Sequence, residues 1–110
     1  MAKFVKGEVV VVPFPFSDLT ATKRRPALVV ATLHGDDLIL CQITSQAVRD
    51  GYSVSLADSD FERGTLKQPS NLRPNRLFTA DSHLILYSIG HLGATKLAEV
   101  VDAVVRIIRS

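Results

Sequence analysis

The chain has 110 residues, 46% of them hydrophobic and 22% charged, so we expect one small globular domain over residues 1–110 with a single core. Its formal net charge of +2 is too small to indicate a nucleic-acid partner by itself. The single cysteine excludes an intrachain disulfide, and no apolar segment has the ~20 residues that a membrane-spanning helix needs, so we expect a cytoplasmic protein without a membrane partner.

The first half of the sequence predicts buried strands, because its apolar runs are short and β-branched. Residues 16–25 show no period and are expected to form a loop. Turn-forming residues at 34–37 predict an antiparallel return of the strand that follows them, where Cys41 should be a buried thiol. The predicted strands lie at residues 7–12, 27–32 and 38–43.

The second half predicts further short strands and a C-terminal helix. Residues 58–69 are polar and are expected to form a loop. Thr95 is the expected N-cap of a helix whose apolar residues recur at helical spacing. Together these elements predict a mostly β fold, a small SH3-like barrel of short, strongly bent antiparallel strands with one C-terminal α-helix. The additional strands are expected at residues 52–56, 71–73, 76–79 and 88–92.

Several kinds of site have no signal in the sequence. No glycine-rich phosphate loop precedes a helix, and no cysteine–histidine cluster has zinc spacing. The three histidines, His34, His83 and His91, are scattered among polar neighbours and are expected to be ordinary surface or turn residues. We therefore predict neither a metal site nor a cofactor.

Basic and hydroxyl side chains gather instead at predicted strand ends. Arg25 directly precedes the second strand, and Thr44 and Ser45 directly follow the third. Because antiparallel neighbours bring the start of one strand beside the end of the other, Arg25 and Thr44 should be close in space. A guanidinium beside a hydroxyl pair can bind phosphate. The alternative is a solvated arginine beside a threonine that merely ends a strand.

Two further arginines flank a predicted turn. Arg73 and Arg76 lie on either side of Pro74-Asn75. If the barrel brings them to the same mouth as Arg25, the site holds three or four cations and almost no anions, which suits a polyanion backbone. The alternative is a solvated charged loop.

The order of these segments resembles the PemK/MazF toxins. The resemblance covers nearly the whole chain, and its specificity lies in the ordered set rather than in any single motif. The matching segments are residues 7–10, 25–30, 43–45, 70–73 and 89–92, with Gly64 and Thr79.

This resemblance implies a dimeric barrel that acts as the toxin of a type II toxin–antitoxin system. Family members cleave single-stranded RNA at short sequence contexts and leave a 2′,3′-cyclic phosphate. The 2′-hydroxyl of the RNA is the nucleophile, so neither metal nor cofactor is implied. The implied partners are single-stranded RNA, a second copy of the chain and a cognate antitoxin whose acidic tail covers the basic groove.

Carried over by position, Arg25 and Thr44 match the most important pair of the family, and Ser45 and Arg73 match further active-site positions. We predict a catalytic set of Arg25, Thr44 and Arg73. The predicted RNA-binding set is Ser45, Lys23, Arg24, Asp18, Asn75, Arg76 and Phe78.

The sequence departs from the family at the proton acceptor. Asn75 stands where the PemK branch has an acidic residue, and an amide cannot be a base. The first-loop histidine of some members is absent too. The remaining candidates for the proton acceptor are Asp18 and a substrate oxygen that Arg25 assists. Phe78, where some relatives have arginine, is expected either to stack on a base or to pack in the core.

Three other functions fit the same fold. A toxin of this fold that poisons DNA gyrase would not need Arg25 and Thr44 together. A catalytically impaired barrel would bind only RNA or an antitoxin, which the amide of Asn75 makes more credible. A structural domain without activity is the third.

Overall fold

The computed structural model describes residues 3–15 and 22–110. This part of the chain forms one sheet of seven strands, in the spatial order β4-β6-β3-β2-β1-β7-β5, and one helix, α1. Every pair of neighbouring strands is antiparallel, and the sheet curls into a half-barrel. The mostly β prediction is therefore confirmed. The elements are β1 (Glu8–Pro15), β2 (Thr22–Thr32), β3 (Asp37–Thr44), β4 (Val54–Leu56), β5 (Phe61–Gly64), β6 (Ser70–Asp81), β7 (Tyr87–Leu92) and α1 (Ala94–Arg109).

The central strands are apolar on both faces because the curled sheet buries both. Successive residues of a strand point to opposite faces, so Val9 and Val10 enter different clusters. Cys41 is buried as expected, and its burial raises the pKa of the thiol to about 12. The first cluster contains Val9, Leu28, Cys41, Ile43, Val54, Leu56, Leu72, Leu92 and Val100, and the second contains Val10, Val12, Ala27, Val29, Leu38, Leu40 and Ala80.

The helix α1 closes the first cluster through Val100, which is fully buried. The predicted N-cap is wrong by two residues: the cap is Gly93, and Thr95 lies within the first turn. The Gly93 N–H donates to the carbonyl of Asp60 at 2.8 Å, so the chain has already turned before Thr95. Lys96 fixes the same end of the helix by donating to the carbonyl of Ser55 at 2.9 Å.

Two predicted loops are partly strand. Residues 22–25 belong to β2, because the pairing of β1 with β2 continues to Pro15 opposite Thr22. Residues 61–64 form β5, which pairs with β7 at the edge of the sheet. This pairing depends on Gly64, whose φ is +78° and whose added Cβ would lie 2.0 Å from the carbonyl oxygen of Ile89.

The two short strands predicted at residues 71–73 and 76–79 are one strand, β6. Its register against β3 shifts, with Leu77 opposite Cys41 but Arg73 opposite Gln42. The extra residues form a bulge that contains Pro74, which lacks an N–H to donate to a neighbouring strand. The proline therefore bends the strand without ending it.

Candidate functional site

Arg25 and Thr44 lie on neighbouring strands at the same end of the sheet. The register pairs Ala27 with Gln42 and Leu28 with Cys41, and continuing it by two residues places Arg25 opposite Thr44. Directly opposed residues of a sheet share a face. The backbone thus puts the guanidinium and the hydroxyl on one side of the sheet.

Three more residues belong to this face. Gln42 lies two residues before Thr44 on β3, Arg73 on β6 lies opposite Gln42, and Asn71 lies opposite Thr44. We call these five residues the strand-end face: Arg25, Gln42, Thr44, Asn71 and Arg73. It brings together all three residues of the predicted catalytic set.

The hydroxyl of Thr44 keeps a donor for a ligand. Its Oγ1 accepts the N–H of Gln46 at 3.2 Å, and the Gln46 carbonyl accepts from Asn71 Nδ2 at 3.1 Å. A hydroxyl has one donor and two acceptor positions, so a single accepted bond leaves the O–H able to donate. These contacts hold Thr44 and its neighbours at the strand end in one arrangement.

The strand-end face also contacts a carboxylate, contrary to the expectation of almost no anions. Arg73 Nη2 donates to Asp50 Oδ2 at 3.0 Å, and Asn75 Nδ2 donates to the same oxygen at 3.3 Å. Both ion-pair side chains are largely shielded, with 19% of Arg73 and 26% of Asp50 exposed. The charge of Arg73 is therefore matched by an acidic partner.

Asp50 is held in its ionised form. The N–H of Tyr52 donates to Asp50 Oδ1 at 3.0 Å, and this bond is the largest cause that lowers the pKa of the carboxyl. The bonds from Arg73 and Asn75 and the charge of Arg73 lower this pKa further.

A cavity of about 710 Å³ opens beside the strand-end face. Gln42 lines it, as does Val12, which lies opposite Arg25 on β1. Its walls include the predicted RNA-binding residues Asn75, Arg76 and Phe78. Among the described residues, none with a carboxylate lines it.

Ser45 and Arg24 lie elsewhere. Ser45 follows Thr44, and with Arg24 and Lys67 it lines a separate cavity of about 430 Å³, which Arg25 also borders. Lys23 is exposed at the start of β2. Asp18 lies outside the described residues. The predicted RNA-binding residues that line a cavity are thus divided between two cavities, and Arg25 borders the smaller one.

Sequence reasoning missed Asp50 and Gln42. The Asp50-Gly51 dipeptide is a turn signal, and an aspartate commonly accepts the backbone N–H two residues on, as it does here from Tyr52. Nothing local indicates its bond to Arg73, which lies 23 residues away. Gln42 looked like an ordinary strand residue.

The scattered histidines join none of these contacts. His83 is exposed, and its Nδ1 lies 2.6 Å from Asp81 Oδ1. The Nδ1 of His91 lies 2.7 Å from the carbonyl oxygen of Leu92. Within residues 3–15 and 22–110 no three histidine, cysteine or acidic side chains form a group that could hold a metal ion. In the same part of the chain no helix has the length and apolar character needed to cross a membrane.

Comparison with known proteins gives one family. The model of the PemK-like, MazF-like toxins of type II toxin–antitoxin systems matches residues 5–108. No curated protein sequence is significantly similar to the chain.

Solved structures show the same fold at low sequence identity. An endoribonuclease in complex with its cognate antitoxin from a mycobacterial species is 13% identical, with a TM-score of 0.75 over 98% of this chain and 95% of that one. The Mycobacterium tuberculosis toxin MazF-mt6 is 19% identical, with a TM-score of 0.72 over 93% and 96%. MazE-MazF from Deinococcus radiodurans gives 20% identity, with a TM-score of 0.74 over 94% of each chain.

Proposed function

Because the chain belongs to the PemK-like, MazF-like toxins of type II toxin–antitoxin systems, we propose that it is an endoribonuclease that cleaves single-stranded RNA without a metal ion. The observation that carries this proposal is the strand-end face. It sets a guanidinium opposite a hydroxyl on the continued β2–β3 register. Arg25 borders the smaller cavity, Gln42 of the same face lines the larger one, and the described lining of neither cavity has a carboxylate.

The proposed reaction uses the RNA as its own nucleophile. The 2′-oxygen forms a bond to the adjacent phosphorus while the bond from phosphorus to the 5′-oxygen breaks. The 2′-hydroxyl loses its proton, and the leaving 5′-oxygen gains one. The products are a 2′,3′-cyclic phosphate and a 5′-hydroxyl end.

The protein contributes donors aimed at the phosphate. Arg25, Thr44 and Arg73 supply N–H and O–H groups where negative charge builds up on the phosphorane oxygens. Pre-organised donors of this kind typically lower a barrier by a few kcal/mol each, that is, by about 10²–10³ in rate. The acceptor of the 2′-hydroxyl proton is either Asp18 or a substrate oxygen assisted by Arg25.

The larger cavity is proposed to hold nucleotides next to the cut. Asn75 and Arg76 supply an amide and a guanidinium there, and Phe78 offers an aromatic side chain on which a base can stack. Lys23, Arg24 and Ser45 are proposed to contact the strand on the other side of Arg25. Such contacts position the RNA so that the 2′-oxygen lies in line with the scissile bond.

The proposed partners are a second copy of the chain and an antitoxin with an acidic tail that competes with RNA for the same cations. We place the protein in the cytoplasm, where both its RNA substrate and the antitoxin are made.

The test is primer-extension mapping of a long RNA incubated with the purified protein in EDTA. We expect cuts at one short recurring sequence, with unchanged rates when EDTA is replaced by Mg²⁺. Intact RNA would contradict the proposal and favour the gyrase-poison or binding-only function. Cuts that appear only with a divalent cation would contradict metal independence.

A further inference from the structure

We propose that Asp50 is a positioning residue for RNA cleavage, which orients the Arg73 guanidinium and the Asn75 amide toward the substrate. The inference rests on the proposed function and adds a residue to it. The segment between β3 and β4 has a single carboxylate, that of Asp50, and this carboxylate contacts β6.

The two oxygens of Asp50 have different partners. Oδ1 accepts the N–H of Tyr52 at 3.0 Å, which fixes the carboxylate on its own turn. Oδ2 then accepts from Arg73 at 3.0 Å and from Asn75 at 3.3 Å. The two donors, Arg73 and Asn75, lie on either side of Pro74 in the β6 bulge. The carboxylate of Asp50 therefore connects both sides of this bulge to the turn after β3.

These contacts decide which groups of Arg73 and Asn75 remain for a substrate. With its Nδ2 bound to Asp50, Asn75 has its Oδ1 available as an acceptor, and Asn75 lines the larger cavity. An acceptor there can orient a 2′-hydroxyl or a base amino group although it cannot remove a proton. Arg73 uses one of its five N–H donors on Asp50.

Burial alone does not hold Arg73 in this place. Its Nε is buried and has no hydrogen-bond partner among the described residues. Burying an unpaired donor is unfavourable, so a compensating interaction must keep the side chain where it is. The ion pair with Asp50 supplies that interaction.

Asp50 is suited to positioning rather than to accepting the proton. Three donors already point at its two oxygens, and they lower the pKa of the carboxyl. A carboxylate with a lowered pKa is a weaker base than an unperturbed one.

The first experiment compares the cleavage kinetics of Asp50→Asn and wild type on a short RNA in EDTA. Asp81→Asn is the matched control, because Asp81 also accepts a backbone N–H and a side-chain donor, both from His83, outside the strand-end face. We expect kcat to fall about 10- to 100-fold in Asp50→Asn, with KM changed less than about twofold, since a misplaced catalytic group mainly affects the chemical step. Asp81→Asn should keep the wild-type kcat.

A second variant separates positioning from folding. Asp50→Ser can still accept the N–H of Tyr52 and keep the turn, but its side chain is too short to reach Arg73. We expect the same loss of kcat in a protein that still folds, with a melting temperature lowered by only a few degrees because the ion pair to Arg73 is lost. If Asp50→Asn does not fold, this variant carries the test.

A mutant cycle then tests whether Asp50 acts through Arg73 and Asn75. In an Arg73→Ala/Asn75→Ala background, Asp50→Ser should lower kcat less than about twofold, because both of its targets are already gone. An equal loss in both backgrounds, or a wild-type kcat in Asp50→Ser, overturns the inference while an active wild type leaves the proposed function standing. A wild type that cuts no RNA overturns both.

Discussion

At the scale of the residue, the account depends on Arg25. We expect Arg25→Ala to lower RNA cleavage by about 10²–10³-fold, because a donor aimed at the phosphorane is lost. The melting temperature should stay within a few degrees of wild type, since Arg25 lies outside both apolar clusters. The measurement is initial cleavage rate in EDTA beside a thermal melt. Arg106→Ala, an exposed arginine on α1, is the control and should cleave normally.

Part of this site could be predicted from residue positions alone. One rule, that antiparallel strands bring start and end together, predicts that Arg25 and Thr44 lie close together. Continuing the β2–β3 register by two residues beyond its last pair, Ala27 and Gln42, gives the same arrangement. Asp50 could not be found in this way because its bond to Arg73 depends on how the curled sheet brings a turn against a distant strand. The roles of all these residues stay predictions.

At the scale of the element, the sequence predicted the positions of the central strands of the sheet more accurately than those of its edge strands. β1 and β3 each contain an apolar run, residues 9–12 and 38–41, and such runs predict burial directly from composition. β5 has the sequence Phe-Glu-Arg-Gly, and its pairing comes from the close approach of Gly64 to Gly90 rather than from any alternation. β6 looked interrupted because a proline normally ends a central strand, whereas here a bulge accommodates it.

The helix gives a prediction at the same scale. Val100 is fully buried against the first cluster, so Val100→Ala should lower the free energy of unfolding by about 2 kcal/mol through lost apolar burial and a residual cavity. Ile108 on the same helix is 72% exposed, and Ile108→Ala should change the free energy of unfolding by less than about 0.5 kcal/mol. Urea denaturation measures both. Equal effects would mean that α1 does not pack as described.

At the scale of the whole molecule, we expect two copies of the chain to associate. Large apolar side chains remain exposed outside the cavity that is proposed to hold nucleotides, among them Leu33 and Leu86. Exposed apolar residues of this kind are typical of surfaces that bind another protein. We expect light scattering to give about twice the 12.0 kDa mass of one chain. A mass of 12.0 kDa at micromolar concentration would contradict the proposed homodimer.

The most direct test of the central claim, that the RNA supplies its own nucleophile to the strand-end face, is cleavage of an RNA oligonucleotide with one 2′-deoxynucleotide at the mapped cut. The account predicts no cleavage at that position in EDTA, and a 2′,3′-cyclic phosphate with a 5′-hydroxyl on the products of the all-ribose control. Cleavage of the deoxy-substituted strand, or control products that end in a 3′-hydroxyl and a 5′-phosphate, would contradict it.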